Sequence, residues 1–183
     1  MSDFLNSILE TRERTAMNEV RNFLQYLFIP TMHEIFKKAA PEKYKKWGGN
    51  CCRQTAVFGC YILSKMLPDF EWYAWEADFD DILDGKPQRY QHAWIYGKSK
   101  AKKYLIDLAR SHKETLFIEV QGNRYPKDHP DYIHMKELSR SRINWEELLR
   151  ETDSEWYTGR PSIDVVKDII KEIQNKNKKG ANA

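Results

Sequence analysis

The chain has 183 residues, 41% hydrophobic and 13% aromatic, which is enough for one packed core and argues against wholesale disorder. Thirty Lys and Arg stand against 27 Asp and Glu, for a net charge of +3, and so near a balance excludes a broad electrostatic footprint for nucleic acid. Charged residues interrupt MSDFLNSILETRER early, and no apolar run reaches secretory or bilayer-spanning length, so the expected compartment is the cytoplasm, without a membrane partner.

Taken in chain order, Phe4, Leu5, Ile8, Leu9, Val20, Phe23, Leu24, Leu27 and Phe28 recur at helical spacing, which predicts one or two helices over 3–39, ended or bent at Pro30. A loop containing Pro41, Gly48 and Gly49 then leads to Cys51. From Cys52 to Met66 most faces are apolar and proline is absent, the pattern of a buried central helix. Runs rich in β-formers follow at Glu71–Phe79, Arg89–Tyr96, Lys103–Leu108 and Thr115–Val120, separated by polar turns, and predict a small antiparallel sheet. Beyond a Pro- and Asp-rich stretch, Ile133–Arg150 and Ile163–Ile173 read as later helices. The expected class is therefore α+β in a single domain over 1–175, with a catalytic core at 47–121, C-terminal helices within 133–175 and a disordered Lys-rich tail at 176–183.

Three features carry chemistry. Trp47-Gly48-Gly49-Asn50-Cys51-Cys52 is a Gly-rich approach to the central helix, and a thiol at a helix N-terminus meets unpaired N–H groups and a dipole that favour the thiolate and can hold an oxyanion. Tyr90, His92, Trp94 and Tyr96 alternate onto one strand face, where His92 can serve as base. Asp107 stands among Leu105, Ile106 and Leu108. A carboxylate there is costly to bury unless paired, and the neighbouring strand offers His92.

The order of Cys at a helix start, His on a strand and Asp on the next, with Gly49-Asn50-Cys51 leading in, resembles the core of transglutaminase-like, papain-like cysteine enzymes. In its triad spacing of 41 and 15 residues it is also similar to arylamine N-acetyltransferases. The resemblance implies Cys51 as nucleophile, His92 as base and Asp107 as orienting acid. It also implies cysteine-dependent acyl chemistry through a thioester: amide or peptide hydrolysis, deamidation or acyl transfer. Transglutaminases tend to carry an aromatic residue after the nucleophile, where this chain has Cys52, so Cys52 stays open as the alternative thiol. Trp47, Cys52, Gln54 and Trp94 are the candidates for oxyanion donor or substrate lining.

The expected partner is a peptide, a protein or a small amide or acyl substrate, with no cofactor. The alternative is a catalytically inactive papain-like domain that binds another protein. Cys60, inside the helix pattern, reads as core filler. His33, His112, His129 and His134 read as surface or locally hydrogen-bonded residues. A zinc site from Cys51, Cys52, Cys60 and His92 lacks a Cys-x-x-Cys pair, and adjacent cysteines suit tetrahedral ligation poorly, so no metal is expected.

Overall fold

A computed structural model describes residues 2–46, 49–100, 102–109, 115–153 and 158–180, with side chains described between 11 and 178. The architecture is α+β: a five-stranded antiparallel sheet packed with several helices. The N-terminal helix α1 (Ser2–Asn22) does not stop before Pro30. It continues through a π-helical segment, Phe23–Phe28, into α2 (Ile29–Ala39), and the Ile29 N–H bonds the Leu24 carbonyl. The wider π turns take up the missing Pro30 N–H and its ring, which an unbroken α-helix would not tolerate. Part of the expected loop before Cys51 is a short helix instead, α3 (Pro41–Lys46), since Pro41 suits a helix start.

The central helix α4 runs from Cys52 to Met66, as its apolar pattern predicts. It packs against β1 (Glu71–Leu83) and β2 (Lys86–Lys98), which are joined by a tight hairpin. Asp84 and Gly85 at its tip both have positive φ, 52° and 74°, the type I′ geometry that Asp-Gly favours. The sheet is completed by β3 (Lys103–Asp107), β4 (Leu116–Glu119) and β5 (Lys136–Ile143), in the order β4-β3-β2-β1-β5.

Here the expectation for 133–150 is corrected. That segment is the edge strand β5 followed by one short helix, α5 (Trp145–Leu148). What holds the segment as a strand is the aromatic edge of β1: the Arg140 and Arg142 guanidiniums lie 4.7 and 4.4 Å over the rings of Trp75 and Tyr73, a cation–π ladder along the sheet edge. The last helix, α6 (Ser162–Gly180), extends through the start of the expected tail. Residues 181–183 of that tail lie outside the described residues.

Both faces of the sheet are covered. Ala74, Ala93, Ile95 and Ile106 pack with α4, the N-terminal helices and the Val165, Val166, Ile169 and Ile173 face of α6. Phe79, Trp94, Leu105 and Leu116 pack on the other side, under Tyr125 and Tyr132. A cross-strand pair fixes one end of the hairpin: Trp72 lies opposite Gly97, and its indole occupies the space a Gly97 side chain would need. That ring cannot move aside cheaply, because it stacks on Phe70 at 5.2 Å and its Nε1 donates to the Leu67 carbonyl. Gly97→Ala is therefore expected to cost about 1–3 kcal/mol by overpacking, seen as a fall of several degrees in Tm by circular dichroism; an unchanged Tm would show that the indole is not held.

Candidate functional site

Gly49 turns the chain with φ of 73° and lies against Tyr44, whose hydroxyl would be 2.8 Å from any Cβ placed there. Cys51 is the cap residue of α4, and Cys52 is its first helical residue. The Asn50 side-chain oxygen accepts the Cys52 N–H at 3.4 Å, and no acidic residue occupies the first turn. The positive end of the helix is therefore left to act on whatever lies before it.

His92 and Asp107 meet as their strands predict. The β2–β3 ladder pairs Ile95 with Ile106 and runs from there towards Lys98, so His92 lies just beyond its open end, while Asp107 closes β3. The His92 Nε2 is 3.0 Å from both Asp107 oxygens. Asp107 is 1% exposed, and its charge is met by two further donors: the Ala109 N–H to Oδ1 at 3.3 Å and the Tyr125 hydroxyl to Oδ2 at 2.9 Å.

The Cys52 side chain, at the first residue of α4, is among the groups that bear on the ring. With Nε2 committed to Asp107, Nδ1 is the nitrogen left for the sulfur. Burial works against charge on His92, but the Asp107 carboxylate, its hydrogen bond and the Cys52 contact outweigh it, and the pKa is pushed up to about 10. That balance favours the protonated imidazole.

Cys51 has a different neighbour. Cys51 is 2% exposed, and its sulfur lies 3.8 and 3.9 Å from the ring nitrogens of His33, on α2. The Tyr44 hydroxyl hydrogen-bonds the same His33 through Nδ1 at 2.8 Å. Cys51 is the non-helical cap and Cys52 the first helical residue, so the two adjacent side chains leave the backbone in different directions. Burial lowers the pKa of His33, which favours a neutral ring, and it raises that of Tyr44, with the Cys51 sulfur adding to the rise.

The remaining expected residues separate in the same way. Trp94 is not a substrate wall: it is 1% exposed and packs between Phe79 at 5.7 Å and Tyr125 at 5.1 Å. Gln54 is buried within α4, about 200° around the helix from Cys52. Trp47 and His112 lie outside the described residues. Cys60 is a core thiol, its pKa driven well above the ordinary range by burial. His129 caps the turn at Pro130–Tyr132 by accepting the Asp131 N–H, and His134 is exposed.

Sequence reasoning missed Tyr125 and the pair formed by His33 and Tyr44. Tyr125 sits in a loop with no periodicity, and only the path of that loop back over the sheet brings its hydroxyl to Asp107. Among the described residues, no group of three or more His, Cys, Asp or Glu side chains is arranged to hold a metal ion, and no helix is long and apolar enough to cross a membrane. No family model, curated protein or solved structure matches the chain.

Proposed function

We propose that the chain is a cysteine-dependent enzyme of transglutaminase-like, papain-like type, acting on amide or acyl substrates through Cys52, His92 and Asp107. The observation that carries this reading is the buried His92–Asp107 pair at 3.0 Å, with the half-buried Cys52 thiol at the first residue of α4 bearing on the same ring. An imidazole held by a carboxylate, together with the start of a helix, is the kind of surrounding in which a thiol serves as nucleophile.

The thiolate attacks the acyl carbon, and a C–S bond forms as the carbonyl π electrons move onto oxygen. The first-turn N–H groups of α4 are the nearest donors for that oxyanion. Collapse of the intermediate breaks the bond to the leaving group, which takes its proton from His92 and leaves a thioester on Cys52. Water or an amine then attacks the thioester, with the now neutral His92 accepting the proton. Asp107 keeps Nε2 occupied throughout, so that Nδ1 stays turned to the sulfur.

Iodoacetamide labelling, followed cysteine by cysteine, tests the pair. Cys52 is expected to label at neutral pH well ahead of Cys51 and Cys60. His92→Ala should remove that lead, and raising the pH towards about 10, where His92 gives up its proton, should shrink it as ordinary thiols ionise. Equal labelling of Cys52 with and without His92 would sink the proposal.

A further inference from the structure

We infer that Tyr125 is a positioning residue of this site, its hydroxyl fixing the Asp107 carboxylate and limiting how strongly that carboxylate holds the His92 proton. The inference rests on the thiol reading above and extends it by a fourth side chain. The hydroxyl donates to Oδ2 at 2.9 Å between two buried residues. Apart from His92, no other described donor reaches that oxygen, since the Ala109 N–H serves Oδ1.

The ring of Tyr125 is wedged in place. It meets Trp94 at 5.1 Å, Phe79 edge-on at 5.9 Å and Tyr132 at 4.5 Å, so the direction of its O–H is set by packing. Burial, followed by the Asp107 charge, holds its pKa well above the ordinary phenol value; it therefore remains a donor across the working pH range. The phenol cannot protonate the carboxylate, and it can only share its charge.

That sharing has a sign. A carboxylate that accepts a second strong donor attracts the imidazolium proton less, so His92 releases it more readily to a leaving group. The titratable groups that bear on His92 are few: Asp107 from β3, Cys52 from α4 and Tyr90 on its own strand, with ring centres 6.5 Å apart. Tyr90 is itself tied to Asp81 of β1 at 2.8 Å. On Tyr125 the neighbours are Asp107, Tyr132 and Tyr90. Of these tyrosines, Tyr125 alone hydrogen-bonds the carboxylate, so removing its oxygen should act on Asp107 first.

The test is Tyr125→Phe, which keeps the wedged ring and deletes the donor. With p-nitroacetanilide as an acyl probe, whose leaving amine needs the His92 proton, kcat is expected to fall about tenfold to a hundredfold as that proton is released less readily. The alkaline limb of its pH profile should move upward, while iodoacetamide labelling of Cys52 at neutral pH stays at the wild-type rate. The His92 ring signals, titrated by NMR in the intact chain, should show the same upward movement without any turnover. A fall in kcat that follows only a lower Tm, with limb and NMR midpoint unmoved, would assign Tyr125 to packing and overturn the inference. If the NMR midpoint moves but neither protein turns over the probe, the role of Tyr125 stands and the thiol reading is what fails.

Discussion

Cys52→Ala is expected to abolish the burst of p-nitrophenolate released from p-nitrophenyl acetate and to lower kcat/KM at least about a thousandfold, because no other group in the site can form the thioester. Cys51→Ala should stay within a few-fold of the wild type. The two residues are chemically identical neighbours, so the contrast tests direction and nothing else. Cys51 points to His33, a ring whose pKa burial lowers; Cys52 points to His92, a ring whose pKa is raised to about 10 by a carboxylate. Only the second places a carboxylate-held imidazole beside the start of the helix. Mass spectrometry of the protein quenched during the burst should place the acetyl group on the peptide carrying Cys52, and Cys52→Ala should leave that peptide unmodified. Loss of the burst in Cys51→Ala with its survival in Cys52→Ala would reverse the assignment.

How much of this could be read from the residues alone depends on the length scale of the signal. Alternation placed His92 on its strand, and the apolar run from Cys52 located α4, because both patterns depend on neighbours a few positions away. His92 and Asp107 were legible as a pair for the same reason: adjacent strands joined by a short turn must lie side by side. The choice between Cys51 and Cys52 was not legible, since it turns on where the helix begins: Cys51 is its non-helical cap and Cys52 its first helical residue, and Gly49-Asn50-Cys51 does not fix that boundary. The strand β5 escaped because Lys136–Ile143 is mostly charged and small polar, without a clear apolar alternation, and what makes it a strand is the aromatic edge of β1, some 60 residues earlier. Tyr125 escaped for a similar reason. Its role comes from the path of a loop, which has no periodicity to read.

The second large effect is expected from Asp107→Asn, which nearly preserves shape and removes one charge. Burial is the largest influence on His92, and it acts against protonation; without the carboxylate nothing of comparable strength offsets it. The ring should then be neutral at pH 7. An asparagine can still accept from Nε2 through its oxygen or donate to it through its nitrogen, and in the second orientation the ring proton sits on Nδ1, facing the sulfur it should receive a proton from. Activity should fall on the order of 10³–10⁴-fold. The same substitution should change the pH dependence of stability. In the wild type the folded pKa of His92, about 10, lies above the unfolded value of about 6.5. The stabilisation it brings is fully present below the unfolded value, declines as pH rises between the two, and is gone above the folded one. Thermal midpoints measured from pH 6 to pH 10 should therefore decline in the wild type and lose that component in Asp107→Asn, so that the two curves converge at the alkaline end. Parallel curves over that window would mean that His92 is not charged in the folded protein, and the thiolate would then lack the imidazolium on which its reactivity depends.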